Sequence, residues 1–298
     1  MRVGALASLA LACLLLPPRA AAQTPRLITP AELIRMRDTA GVRVLDVRQS
    51  WVSYLQNHLP NAAWLNIETL RAQDRELPFQ LLSPEQYAEL FRRLSLELTR
   101  PVVVYSAGDQ LDIDATFVCW LLASAGMRRV YLLDGGYARW ELENRPMTQR
   151  YPRWSSSGAA FSPRDFRPAV ASLEDVRSAA MGLSGSLLID ARPAEQYAGT
   201  AGAQLRRGHI PSALNHPWKD DLEKPDLVLV WKLVDALRAS YQSQGITPER
   251  DIIVYCNSGT EASHVFFALK YLLGFPRVRI YTGSWTQWAE RAELPVER

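Results

Sequence analysis

Apolar positions along this chain fall into two kinds of stretch. Short unbroken runs such as Val102-Val103-Val104-Tyr105 and Ile252-Ile253-Val254-Tyr255 have the β-branched and aromatic content of strands buried on both faces. Between them lie segments of helical spacing, such as "SPEQYAELFRRL" and "WKLVDALRASYQSQG". Thr29 before Pro30-Ala31-Glu32 and Ser172 before Leu173-Glu174-Asp175 have the Ser/Thr-x-x-acid spacing of a helix start. Strands alternating with helices predict parallel sheets covered by helices on both faces, an α/β fold whose ligands sit beyond the carboxyl ends of the strands.

The pattern occurs twice. "PVVVYSAGD" at 101–109 aligns with "DIIVYCNSG" at 251–259, and "RVLDVR" at 43–48 with "LLIDAR" at 187–192. "HLPNAAWLN" at 58–66 matches "HIPSALNHP" at 209–217, and "LLDGGYARWELENRPM" matches "IYTGSWTQWAERAELPV". Four matches in one order identify a duplication. The expected domains are 26–147 and 170–298, joined by a linker over 148–169 that is rich in Pro, Ser, Gly and Arg and has no regular period.

Residues 1–22 depart from this pattern. Arg2, an apolar run from Val3 to Leu16 and the small residues Ala20-Ala21-Ala22 have secretory signal architecture, with cleavage expected before Gln23 and a periplasmic or secreted product. The apolar run is too short to span a bilayer comfortably, so no membrane association is expected after cleavage. Removal takes Arg2 and Arg19 and lowers the formal net charge from +3 to +1, a balance that gives no argument for nucleic acid as a partner. Hydrophobic residues at 48% and charged residues at 22% are ordinary for a globular protein.

Cleavage leaves two cysteines, too few for a disulfide framework in a chain of this size. Cys119 sits among Val118, Trp120 and Leu121 on an apolar helix and reads as core. Cys256 stands where a strand ends and a polar, glycine-containing loop leads into a helix. Backbone N–H groups of such a loop and the positive end of the helix stabilise a thiolate, and Gly259 supplies the backbone freedom the turn needs. Cys256 is therefore the candidate nucleophile, with Asn257, Ser258, Gly259, Thr260 and Glu261 forming its loop.

The duplication, the paired Asp-x-Arg and His-x-Pro motifs, the loop "CNSGTEA" and the closing "GSWTQW" together resemble the tandem rhodanese family of sulfurtransferases. The resemblance covers nearly all of the chain after residue 22. It implies two rhodanese-like domains and a Cys256 that takes a sulfane sulfur from thiosulfate or 3-mercaptopyruvate, holds it as a persulfide and passes it to cyanide or a thiol, protein thiols included. It implies no cofactor. Arg192 takes the family position expected to bind the small anionic donor, with a structural pairing to Asp190 as the alternative. The first domain has Ser106 where the second has Cys256, beside Asp109, Asp112 and Asp114, and is expected to be inactive. A second donor-binding arginine, expected shortly after Arg192, is replaced by Tyr197 and Ala198, leaving Arg206 or Arg207 as substitutes. Only Glu68 stands where a proton relay would need acids.

The alternative reading is a non-catalytic sulfur carrier or binding module loaded by a partner protein. A phosphatase would need arginine at position 261, where glutamate stands. His264 lies about two helical turns beyond Cys256, too far for a catalytic pair. The histidines at 58, 209, 216 and 264 show no metal-ligand spacing. Neutral Asn257 and Ser258 with acidic Glu261 predict that 3-mercaptopyruvate, a monoanion, outperforms the thiosulfate dianion.

Overall fold

The computed structural model describes residues 25–74, 77–109, 114–154, 162, 164 and 166–298. The proposed leader and Asp112 lie outside them. In the first half β1 (Arg26–Ile28) leads to α1 (Pro30–Ala40), β2 (Arg43–Asp46), α2 (Trp51–Gln56) and β3 (Ala62–Trp64). A hairpin of β4 (Arg71–Asp74) and β5 (Leu77–Leu81) precedes α3 (Pro84–Arg93), β6 (Val102–Tyr105), α4 (Asp114–Ser124), β7 (Val130–Leu133) and α5 (Gly136–Leu142). The second half runs α6 (Leu173–Ala180), β8 (Leu187–Asp190), α7 (Ala194–Tyr197), β9 (Leu214–Asn215), a hairpin of β10 (Leu222–Glu223) and β11 (Val230–Trp231), and α8 (Val234–Ser243). It closes with β12 (Ile252–Tyr255), α9 (Thr260–Phe266), β13 (Val278–Ile280) and α10 (Ser284–Ala289).

The sheets are parallel, in the orders β1-β7-β6-β2-β3 and β13-β12-β8-β9. Their central strands carry the unbroken apolar runs because both faces are covered: Val102–Tyr105 and Ile252–Tyr255 are fully buried. Thr29 and Ser172 both form complete capping boxes, with Glu32 and Asp175 reaching back to the cap. The helix expected over "WKLVDALRASYQSQG" begins later, at Val234, because Trp231 pairs with Leu222 in the second hairpin. That hairpin and β4–β5 are too short and too polar to announce themselves by alternation.

The duplication extends to individual hydrogen bonds. Asp46 is in register with Tyr105, and Asp190 with Tyr255. Arg48 Nη2 binds Asp46 at 2.7 Å and the Asn57 carbonyl at 2.7 Å, while Arg192 Nη2 binds Asp190 at 2.6 Å and the Gly208 carbonyl at 2.8 Å. Trp140 and Trp288 each donate to a proline carbonyl, of Pro146 and Pro295.

The two halves share one core. Helix α4 is apolar around its whole circumference because it packs between its own sheet and α9 of the other half. Thr116 and Ser263 hydroxyls meet at 2.9 Å across this contact, with Trp120 edge-on to Phe266 beside them. Cys119 is fully buried in α4, as expected for a core thiol. Within the linker, the Trp154 indole N–H binds Asn61, and Arg43 stacks over its ring.

Candidate active site

Strand β12 delivers Cys256 to the floor of a loop held from two sides. The Cys256 N–H donates to Ser284 Oγ at 3.2 Å, and Ser284 Oγ donates to the Tyr281 carbonyl at 2.7 Å. Trp285 N–H donates to the Cys256 carbonyl at 2.9 Å, and Thr286 Oγ1 to that of Asn257 at 2.8 Å. The Gly-Ser-Trp motif is thus the clamp that sets the cysteine loop. Gly259 has φ +87°, a left-handed conformation that a side chain would strain, and its N–H points at Cys256 Sγ at 3.1 Å.

The amide nest anticipated around the sulfur is present. N–H groups of Ala262, Ser258 and Gly259 all favour the thiolate. They do not prevail in the resting site: burial of the sulfur and then the Glu261 carboxylate push the Cys256 thiol up to about 11. The resting cysteine is therefore a protonated thiol at neutral pH, which the loop geometry read from the sequence does not foretell. Burial likewise pushes the Glu261 carboxyl up to about 7, helped by Asp190 and opposed by Arg192. The neighbouring Trp218 indole and Cys256 thiol oppose that rise, and the Glu261 Oε2 is buried with no partner among the described residues.

Arg192, expected at the donor, makes the pairing with Asp190 that was its alternative reading. Nε and Nη2 bind both oxygens of Asp190 and the Gly208 carbonyl, with the guanidinium 4.6 Å over the Trp285 ring. Arg48 makes the same bonds in the half that has serine in place of the cysteine, so the pair belongs to the architecture of both halves. What Arg192 supplies to the sulfur is its charge, which is felt at Cys256.

The remaining loop residues are brought together at the same place. Asn257 is half-buried; its amide N–H binds Gln196 at 2.9 Å, and Oδ1 is buried without a partner among the described residues. Ser258 is half-buried. Thr260 starts α9 and accepts a hydrogen bond at 2.8 Å from Arg71 Nη1, reaching over from the other half. Arg71 also pairs with Glu68, lies against Phe79 and Phe117, and keeps a buried Nε without a partner among the described residues. It is the cation that sequence reasoning missed. It stands three residues after Glu68, but only the fold brings it to a loop almost two hundred residues on.

Other expectations resolve as follows. Arg206 donates to the carbonyls of Arg291 and Leu294, which ties it to the C-terminal segment. His209 Nδ1 contacts the Tyr197 carbonyl at 2.9 Å and stacks on the Tyr197 ring, so it orders its own loop. His264 is buried against Trp231 and near Asp221, with its pKa lowered by burial. In the first half, Ser106 Oγ is buried without a partner among the described residues, and a cavity of about 610 Å³ beside it is lined by Arg48, Asp109 and Asp114. That cavity lies over the serine, and Cys256 is not part of its lining. No group of side chains suited to a metal ion is found among the described residues.

Comparison with known proteins sets this geometry in a family. The family described as Rhodanese-like domain matches residues 29–143 and again 172–291. The 3-mercaptopyruvate sulfurtransferase of Escherichia coli K12 is 34% identical over 249 residues, 82% of this chain and 84% of its own. The sulfur carrier protein TtuD of Thermus thermophilus is 34% identical over 271 residues, 86% of this chain and 91% of its own. The crystal structure of SseA from Escherichia coli, described as a 3-mercaptopyruvate sulfotransferase with the rhodanese fold, superimposes with a TM-score of 0.72. It is 31% identical and is matched over 87% of this chain and 98% of its own.

Proposed function

The chain belongs to the rhodanese family and is a sulfurtransferase that moves sulfane sulfur, and from that premise we propose that Cys256 is the residue that carries the sulfur. The observation that carries the assignment is the Gly259 N–H directed at the buried Cys256 sulfur at 3.1 Å, with the backbone N–H groups of Ser258 and Ala262 also favouring the thiolate. A persulfide is anionic at the position those donors surround, so they stabilise the intermediate. Arg71, linked to Thr260, is the cation we assign to the anionic end of the donor, in place of Arg192 and Arg206. A single negative charge suits one such cation beside an acidic loop, which favours 3-mercaptopyruvate over thiosulfate. Release of the Arg71–Glu68 pair would be part of docking.

The decisive measurement is intact mass after adding donor. One extra sulfur is expected on the wild type and on Cys119→Ser, and none on Cys256→Ser; equal labelling of all three removes Cys256 from the role. A second reading, a sulfur carrier loaded by a partner protein, is favoured by the likeness to TtuD. It predicts loading by a persulfidated protein and none by small donors. We also assign the chain to an exported compartment, with a mature terminus at Gln23; N-terminal sequencing of the exported fraction checks this.

A further inference from the structure

The half that has Ser106 in place of the loop cysteine keeps the frame of a site around it. Tyr137 and Ala138 N–H groups donate to the Ser106 and Ala107 carbonyls at 2.9 and 2.8 Å, as those of Trp285 and Thr286 do to Cys256 and Asn257. The cavity of about 610 Å³ over Ser106 lies beyond the carboxyl ends of β2 and β6, where parallel α/β sheets hold their ligands, and has the volume of a small-molecule site. Its lining differs from the loop around Cys256. Ser106 is 2% exposed and its Oγ has no partner among the described residues, whereas the Cys256 sulfur accepts from the Gly259 N–H. Asp109 stands where the second half has that glycine. Asp114 is 4% exposed, with the neutral Gln49 amide at 3.4 Å and no ion pair among the described residues. Asp109 and Glu141 are exposed at the rim. Among the described residues the cation of the lining is Arg48, whose guanidinium is already bound to Asp46 and the Asn57 carbonyl.

We propose that this cavity is a second ligand site, separate from the cysteine loop, and that it takes a small organic ammonium ion whose charge pairs with Asp114 and whose neutral hydrogen-bonding group meets the Ser106 hydroxyl. Two independent observations point into the same space. A buried hydroxyl without a partner is destabilising until a ligand group meets it. A buried carboxylate without a paired cation is destabilising as well: burial pushes the Asp114 carboxyl up to about 6, with Glu68 adding to the rise and Gln49 and Arg71 opposing it. At neutral pH it is mostly ionised, and an ammonium beside it offsets the loss of water. A sulfur donor does not suit this lining, because thiosulfate and 3-mercaptopyruvate are anions that Asp109, Asp114 and Glu141 repel. A bare metal ion does not suit it either: no group of side chains fitted to one is found among the described residues, and the space far exceeds a coordination sphere. An ammonium offers three N–H donors, while a serine hydroxyl can donate or accept, so Asp114 reads the charge of the ligand and Ser106 its neutral polar group. The Tyr137 ring, with Arg48 stacked 4.0 Å over it, adds an aromatic wall. The inference stands whether or not Cys256 carries sulfur.

The test is calorimetric titration of the full chain with three probes of similar size: ethanolamine as the cation, ethylene glycol as the neutral molecule and glycolate as the anion. An amine-free buffer at about 0.15 M ionic strength screens diffuse attraction. Ethanolamine is expected to bind once per chain, about tenfold or more tightly than either of the others. Asp114→Asn removes a buried charge and is expected to stay folded; it should weaken ethanolamine about tenfold or more and leave ethylene glycol unchanged. Ser106→Ala should weaken ethanolamine and ethylene glycol alike. Ethanolamine should raise the thermal midpoint of the wild type but not that of Asp114→Asn, and Cys256→Ser should bind it as the wild type does. No heat with ethanolamine up to about 50 mM, well beyond the millimolar affinity expected of so small a ligand, overturns the proposal. Equal binding of the three probes, the same effect from potassium chloride, or undiminished binding to Asp114→Asn overturns it too. Loss of binding in Cys256→Ser would put the ligand at the thiol and overturn the separate site.

Discussion

Replacing Arg192 by alanine separates a structural arginine from a donor-binding one. The side chains of Arg192 and Asp190 are 2% and 0% exposed, and the guanidinium makes bonds to both carboxylate oxygens and to Gly208. Truncating one partner of such a pair leaves Asp190 charged, buried and unmatched, which destabilises by about 3 to 5 kcal/mol. For a chain of this size that lowers the thermal midpoint by roughly 5 to 8 °C. Loss of the ring contact with Trp285 adds to it, because Trp285 holds the cysteine loop through its N–H bond to the Cys256 carbonyl. Arg48→Ala is the internal control. It breaks the same bonds to Asp46 in the half without the cysteine, and is expected to destabilise by a similar amount. The assay is thermal unfolding of both variants, alongside kcat and KM at a temperature where each remains folded. If Arg192→Ala keeps its midpoint within a degree or two while the KM for an anionic donor rises about tenfold or more, the arginine is a donor anchor and the structural argument fails.

Two further outcomes follow from residues at the contact between the halves. Arg71→Met keeps much of the apolar packing against Phe79 and Phe117 but removes the cation at Thr260, and should raise the KM for 3-mercaptopyruvate about tenfold or more with kcat changed less; steady-state kinetics showing an unchanged KM would exclude Arg71 from donor binding. Burial pushes the Asp114 carboxyl up from 3.8 to about 6, against the opposing effects of Gln49 and Arg71, so the folded state holds this proton more tightly than the unfolded chain does. Stability tied to it is present at low pH and lost as pH rises from about 4 through about 6, so Asp114→Asn should raise the thermal midpoint at about pH 8 and leave it nearly unchanged at about pH 4.

Much of this was legible from residue order, for a physical reason. Parallel strands buried on both faces are written as contiguous apolar runs, so Val102–Tyr105 and Ile252–Tyr255 could be aligned by eye, and the Thr29 and Ser172 caps are local motifs. Cys256 stood out because a thiol at a strand end followed by polar residues and glycine has no packing explanation. The hairpins were hidden, since β10 and β11 are two residues each and take their stability from pairing with each other. The orientation of Arg192 was also hidden: an Asp-x-Arg motif looks the same whether the guanidinium faces a donor or folds back on the aspartate. The thiol's protonation was missed because local reasoning counts the amides around the sulfur, whereas the larger effect is loss of water, a property of the whole fold.

The half with Ser106 in place of the loop cysteine has a stake in the chemistry that its serine conceals. Arg71 reaches from β4 to Thr260, Thr116 meets Ser263 within α9, and the Trp231 N–H of the second hairpin binds the Asp134 carboxylate of the first half at 3.0 Å. Helix α9 is thus gripped at its first turn by the other half while its N-terminal N–H groups face the Cys256 sulfur. Preorganised donors stabilise a developing charge only if they need no rearrangement when it forms, so whatever fixes the first turn of α9 contributes to the reaction without touching sulfur. The same burial that fixes the turn strips water from Cys256 and Glu261, which is the origin of both raised pKa values. Rigidity and a reluctant thiol therefore arise together from the packing of the two halves.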